Sequence, residues 1–251
     1  MDWNDDAIVL SARKHGETSA IVSLLTRTHG RHNGLVRGGV GRRARGLYQP
    51  GNKLRAHWRG RLADHLGAYT CEMAEALAAN LLEDPLRLAA LSAACAVTEA
   101  ALPEREIHAP VFEGMEILLA ALNNADHSTW TTVYVKWEMG LLQELGFGLD
   151  LSQCAATGAT ENLSYISPKS GRAVSESAAE PYRDKLLVLP PFLIEIGTLG
   201  EDSEILDGLR ATGYFLDRHV FSQRKDPKPP DARSRFIDRL RREGNSTQVS
   251  C

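Results

Sequence analysis

The stretch Leu54-Arg55-Ala56-His57-Trp58-Arg59 alternates apolar and basic side chains, as a β-strand does when one face lies in a core and the other meets water. Alternation alone leaves open whether Trp58 or its neighbours turn inward. Toward the N-terminus, Ala7-Ile8-Val9-Leu10 and Ala20-Ile21-Val22-Ser23-Leu24-Leu25 are short runs rich in β-branched residues. The polar turn Lys14-His15-Gly16-Glu17-Thr18 separates them, and a second turn, Thr28-His29-Gly30-Arg31, leads to a third strand around His32–Arg37. Beyond Arg59, Gly60-Arg61 makes a turn and Leu66–Cys71 reads as a fifth strand. Ahead of the alternating stretch, Arg37-Gly38-Gly39-Val40-Gly41-Arg42-Arg43-Ala44-Arg45-Gly46 holds four glycines and four arginines in ten residues. That glycine content is too high for an element interior, and a mobile loop is expected.

Five short strands, tight turns and one long loop suit a small closed barrel such as the OB-fold, over residues 1–75. Past Glu72 the period becomes helical. Asp84-Pro85 is a cap followed by proline at the first helical position, opening a run to about Ala101. Leu88, Leu91, Cys95 and Leu102 form its stripe, and alanines fill its other faces, so this helix should be surrounded. Pro110 starts the next helix. Ser128 is expected to cap a third, carrying Trp130, Tyr134, Trp137, Leu141 and Leu145 and ended by Gly146. These aromatics read as core. From 151 to 189 the pattern breaks into turns; a helix over about 203–221, a linker at 226–230 and a basic helix from Asp231 to Glu243 follow. The class is therefore α+β: a barrel over 1–75, an α-helical domain over 76–243, and a disordered tail over 244–251.

Among 251 residues, 43% are hydrophobic and 24% charged, as in a soluble globular protein. No apolar run is long enough for a membrane span, and the acidic start Met1-Asp2-Trp3-Asn4-Asp5-Asp6 is unlike a signal peptide. A cytoplasmic location is expected, with no membrane partner. Cys71, Cys95, Cys154 and Cys251 are scattered without metal or redox spacing, which fits free thiols in a reducing compartment.

The net charge of −3 conceals an asymmetry. Residues 1–80 hold 12 Lys+Arg against 7 Asp+Glu, and the remainder holds 17 against 25. Between Arg13 and Arg61, 12 basic residues face Glu17 alone. Attraction to phosphate depends on the local field, so such a block suits a polyanion-binding surface, although a solvated basic face has the same composition. Ten of the 12 are arginine, which stacks on bases and grips phosphate with two prongs. His29, His32, Tyr48, His57 and Trp58 lie among them as flat side chains for stacking, Trp58 being a core candidate equally. The candidate contacts are Arg37, Arg42, Arg43 and Arg45 in the loop and Arg31, Arg55, Arg59 and Arg61 on the barrel. Lys14 and Arg27 are weaker candidates, since either could pair with Glu17. A second basic surface is offered by Arg233, Arg235, Arg239, Arg241 and Arg242, but Asp231, Asp238 and Glu243 interrupt it and favour a solvated helix face. Enzyme signatures are absent: there is no P-loop, no Gly-x-Ser-x-Gly and no His-Glu-x-x-His. No catalytic residue, cofactor or metal is expected.

Taken in order, several motifs resemble the RecO family of bacterial recombination mediators. They are Ala7-Ile8-Val9-Leu10, Gly16-Glu17-Thr18-Ser19, Leu24-Leu25-Thr26-Arg27-Thr28-His29-Gly30, Val36-Arg37-Gly38-Gly39 and Leu47-Tyr48-Gln49-Pro50. Tyr134-Val135-Lys136-Trp137-Glu138 and Leu141-Leu142-Gln143-Glu144-Leu145-Gly146-Phe147 continue the likeness in the helical part. The resemblance implies an OB-fold, then a helical domain with a zinc-ribbon-like insertion. It also implies binding of single- and double-stranded DNA, strand annealing, and action with RecR to load RecA onto strands coated by single-strand binding protein (SSB), whose acidic C-terminal tail the family recognises. One departure stands out. Zinc-bearing relatives carry two Cys-x-x-Cys knuckles, and here those positions read Cys154, Thr157, Ser175 and Ala178. One thiolate is too few for zinc, so the insertion at about 151–189 is expected to be a degenerate, zinc-free ribbon. The rival reading is an OB-fold adaptor that binds RNA or other proteins without annealing DNA.

Overall fold

A computed structural model describes residues 1–62, 64–223 and 228–248, without the side chains of 245–248. The N-terminal strands close into a barrel in the order β1-β2-β3-β5-β4, the five-stranded OB-type barrel that the strand pattern suggested. They are β1 (Asp2–His15), β2 (Ser19–Thr26), β3 (Gly30–Val36), β4 (Lys53–Arg59) and β5 (Ala68–Glu75), with α1 (Arg42–Leu47) between β3 and β4. β3 and β5 pair in parallel and every other pair is antiparallel.

β1 is much longer than its apolar run. Its first half pairs with β4, from Asp2 opposite Arg59 to Ile8 opposite Lys53, and its second half pairs with β2. An irregularity between Val9 and Ser11 separates the two registers, as a bulge does where a strand bends around a barrel. Asp and Asn disfavour strands, which is why the segment Asp2–Asp6 did not read as one. The barrel core is Ala7, Val9, Ala20, Val22, Leu24, Val36, Tyr48, Leu54, Ala56, Trp58 and Tyr69. Trp58, at 1% exposed, fills one end, and its indole N–H donates to the carbonyl of Leu66. Gly67, at φ +56°, lets the β4–β5 turn close over that ring: a Cβ there would sit 2.4 Å from the indole.

The second half of the Gly/Arg segment is the helix α1 rather than a mobile loop, and residues 37–41 before it form a turn. Within α1 and its C-cap, Ala44, Leu47 and Tyr48 fall at helical spacing and pack against the barrel core. Three apolar contacts at i, i+3 and i+4 hold this short helix, which contains Gly46 alone of the four glycines.

Next come α2 (Leu77–Asn80), α3 (Pro85–Ala101), α4 (Ala109–Asn124) and α5 (His127–Glu144). The Asp84 carboxylate accepts from the N–H groups of Leu86 and Arg87, capping α3 as expected. α3 packs on β1 and is buried on more than one face, through Leu86, Ala90, Leu91, Ala93, Ala94, Cys95, Val97 and Thr98. The cap of α5 is Asp126, not Ser128: its carboxylate accepts from the Thr129 N–H. Trp130, Tyr134, Trp137 and Leu141 are core, and Gly146 follows the helix at φ +83°.

The chain divides into two compact units. The first holds residues 1–119 with 230–236, so α3 belongs with the barrel; the second holds the other described residues. In the second unit, β6 (Leu163–Ile166), β7 (Ala173–Ser175) and β8 (Leu187–Val188) form a small sheet in the order β7-β6-β8, with α6 (Glu176–Ala179) between β7 and β8. α7 (Asp202–Phe215) continues into a π-helical turn over Leu216–Val220, and α8 spans Asp231–Gln248. The expected tail begins inside α8, which runs through Gly244 to Gln248; residues 249–251 lie outside the described residues, as do positions 226 and 227 of the expected linker. No helix among the described residues is long and apolar enough to cross a membrane.

Candidate nucleic-acid interface

The 12 cations between Arg13 and Arg61 do not share one face. β1 ends, β2 begins and β3 ends at the same end of the barrel, where α1 sits. The Val40 N–H donates to the Thr18 carbonyl, holding the approach to α1 against the β1–β2 turn. Lys14, Arg37, Arg42, Arg43 and Arg45 gather here, all exposed. Because Ala44, Leu47 and Tyr48 face the core, the arginines of α1 are left on its outer side. Among the described residues, no ion pair or side-chain hydrogen bond engages any of these five. Arg13, nearby in sequence, differs: it is bonded to Glu99 at 2.7 Å.

Arg55 and Arg59 lie on the outer face of β4 with His57. Asp6 and Glu72 stand opposite Arg55 on the flanking strands, and Asp2 stands opposite Arg59. Cross-strand neighbours sit close enough for these carboxylates to offset much of the β4 charge. His57 approaches Asp2 at 3.7 Å, and Lys53 is paired with Glu75 at 3.3 Å. Arg61 is exposed in the turn after β4.

Arg27 and Arg31 have intramolecular work. Arg27 bonds Glu116 at 2.8 Å, approaches Asp6 and lies over the Phe112 ring at 4.4 Å. It does not pair with Glu17. The Arg31 Nε donates to the Leu102 carbonyl at 2.8 Å, and the Arg31 carbonyl accepts from the Arg105 N–H at 2.7 Å. Both contacts hold the segment after α3 against the start of β3. Gly30, at φ +67°, permits that approach, since a Cβ there would meet the Glu106 carbonyl oxygen at 1.9 Å.

The flat side chains are mostly withdrawn from solvent. Trp58 and Tyr48 are core, and His32 is 3% exposed. Burial, with the Arg105 guanidinium adding to it, lowers His32 from 6.5 to about 4, so its ring is neutral near neutral pH. Of the half-buried rings at the other end of the barrel, His29 was a stacking candidate and Trp3 was not: Trp3 stacks on His29 at 4.1 Å and on Trp58 at 5.7 Å. The alternation of Trp3 with Asp2 and Asn4 is the signal that could have placed Trp3 inward. Asp5 fixes the column. Burial alone would raise its carboxyl, but hydrogen bonds from His29 and from the Thr28 N–H and hydroxyl hold it below the usual range.

On α8, Arg235, Arg239, Arg241 and Arg242 are exposed, whereas Arg233 is buried and Arg241 approaches Asp238 at 3.8 Å. The four knuckle positions do not fit a zinc ion. Cys154 is buried, and it accepts from the Ser175 N–H at 3.3 Å and the Ser175 hydroxyl at 3.4 Å. Burial raises the thiol, but the hydrogen bonds from Ser175, Thr157 and the backbone outweigh it and bring Cys154 down to about 6. The described residues hold no group of three or more His, Cys, Asp or Glu arranged for a metal. A hydroxyl–sulfur bond joins two of the four positions, Ser175 and Cys154.

Family profiles described as Recombination protein O N terminal and Recombination protein O C terminal match residues 1–77 and 82–228. The chain belongs to the RecO family. A protein named DNA repair protein RecO from Rhodospirillum centenum is 54% identical over 252 residues, covering 100% of this chain and 99% of the relative. The proteins of that name from Rhodospirillum rubrum and Phenylobacterium zucineum are 48% and 49% identical, over 96% and 97% of this chain and 97% and 99% of their own.

Proposed function

We propose that this RecO-family DNA repair protein binds single- and double-stranded DNA through the α1 end of its barrel and anneals complementary strands. With RecR it helps load RecA onto SSB-coated single strands, meeting the acidic SSB tail in the course of that work. The observation that carries the DNA-binding reading is the group Lys14, Arg37, Arg42, Arg43 and Arg45, which is exposed and without a carboxylate partner among the described residues. Cations free of internal partners present their full field to phosphate. Neutralised strands repel each other less and pair spontaneously, so no bond is made or broken and neither a catalytic group nor a cofactor is needed. Arg55, Arg59 and Arg61 extend the surface with a weaker, partly offset field. Arg27 and Arg31 contribute through the shape of the barrel.

The test is the triple change Arg42→Ala, Arg43→Ala, Arg45→Ala. If all three meet phosphates, the logarithmic salt slope of single-strand binding falls by about 2, and annealing slows. An unchanged slope and affinity in a folded variant would refute the proposal. Competition between single-stranded DNA and structured RNA, measured on the same protein, separates it from an RNA-binding adaptor.

A further inference from the structure

The barrel end opposite α1 holds a cavity of about 250 Å³ lined by Trp3, His29, His32, Trp58, Arg105 and Ile107 with Met1 and Thr28. We propose that this cavity receives one unpaired nucleobase of a bound single strand, a role that rests on the DNA-binding reading above.

Four features argue for a base. The first is the aromatic wall. His29, Trp3 and Trp58 form a column of near-parallel rings, with interplanar angles of 9° and 17°, and the His32 ring stands across it at 84° to Trp3 and 73° to Trp58. Trp3 is already stacked on both sides, so an inserted base meets ring edges and the outer end of this column, contacts that do not read base identity.

The second is neutral hydrogen-bonding capacity inside. His32 is uncharged near neutral pH and uses Nδ1 toward the Tyr69 hydroxyl at 3.0 Å, leaving Nε2 to meet the edge of an occupant. A base edge offers neutral donors and acceptors to match.

The third is positive charge at the rim. Arg105 lines the cavity; its guanidinium donates to the His65 carbonyl at 3.0 Å and stands 3.7 Å from the Glu104 carboxylate, which offsets part of its charge. Arg61 follows Gly60, whose N–H and carbonyl both bond Met1 at the same rim. A phosphate beside the inserted base meets cations there. The fourth is that the rim is built rather than incidental. Arg105 adopts φ +66°, a conformation unusual for a residue with a side chain, and the bonds of its segment to Arg31 hold it there.

A paired base is sealed in its helix, so the cavity distinguishes single strands from duplex. It lies at the other end of the barrel from α1, so a strand that reaches both runs along the barrel wall.

Two variants test this without disturbing the core. Ile107→Trp places a large ring at a position 59% exposed, across the mouth of the cavity. Arg105→Gly suits the φ +66° backbone and removes the guanidinium. Binding is measured for a thymidine oligomer, an abasic strand of the same length and a duplex. Ile107→Trp lowers affinity for the thymidine oligomer roughly five- to hundredfold, with abasic and duplex affinities as in the unmodified protein. Arg105→Gly, which also removes a phosphate contact, weakens both the thymidine oligomer and the abasic strand and leaves the duplex unchanged. The proposal is overturned if all three ligands keep their affinities, as they would were the cavity a seat for an apolar side chain of a protein partner. It is overturned equally if all three weaken together. Failure of the unmodified protein to bind any of them would instead defeat the DNA-binding reading itself.

Discussion

The two ends of the barrel are made from the same strands, and both carry arginines, yet the arginines meet opposite fates. Around α1, Lys14, Arg37, Arg42, Arg43 and Arg45 stand in water with no carboxylate partner among the described residues. At the other end, Arg27 is bonded to Glu116 and laid over Phe112, and Arg31 holds the segment after α3. Rings fill the interior of that end, Trp58 closing the core beneath Trp3 and His29, with Arg105 at the rim. A count of basic residues measures how much charge is supplied. How much field reaches a ligand depends on where the carboxylates fall.

The contrast is broken most severely at Trp58. Trp58→Ala empties the aromatic end and should cost about 3–5 kcal/mol in urea denaturation, while leaving the salt slope of DNA binding in the folded protein unchanged. A changed slope would mean that the two ends are not independent.

His32 gives the next effect. Its folded value of about 4 lies below the ordinary 6.5, so between these two pH values the unfolded chain binds the proton more readily than the folded one. Stability is therefore fully present above pH 6.5 and falls as the pH drops toward 4, by about 3 kcal/mol at most. His32→Gln should flatten that part of the stability profile; an identical profile would remove His32 as its source.

Arg31→Ala should cost on the order of 1–3 kcal/mol, because it leaves the Leu102 carbonyl without its charged donor, and it should leave the salt slope alone. The α1 triple variant should show the reverse pattern. If both lower the slope equally, the distinction between structural and free arginines fails. The smallest effect is expected at Asp6→Asn, which removes a carboxylate opposite Arg55. DNA affinity should rise, by at most about fivefold, in a direct titration at low salt. A fall would show that Asp6 orients Arg55 rather than offsetting it.

Much of the fold could be read from local pattern. Apolar runs marked the strands, Asp84-Pro85 marked the start of α3, and the spacing of Trp130, Tyr134, Trp137 and Leu141 marked a buried helix face. The errors have physical causes. Four of the five residues of Asp2–Asp6 are Asp or Asn, which disfavour strands, and β4 supplies the partner that makes the segment one. The glycines at 38, 39 and 41 suggested a loop that runs on through 46, whereas a short helix follows them, held by three contacts with the barrel core. Within the candidate site, the arginines themselves were visible, but Trp3, Arg105 and Ile107 were not. They lie far apart along the chain, and no spacing rule joins residue 3 to residue 105.

The order of residues by itself determined that a barrel-forming segment precedes a helical one and that cations are concentrated in the first. These follow from periodicity, composition and side-chain chemistry, which are properties of neighbours along the chain. Only the folded arrangement decided which cations are free, which way Trp58 faces, and that two distant segments enclose a cavity with it. Pairing register and the packing of remote segments fix those outcomes, and neither is a local property.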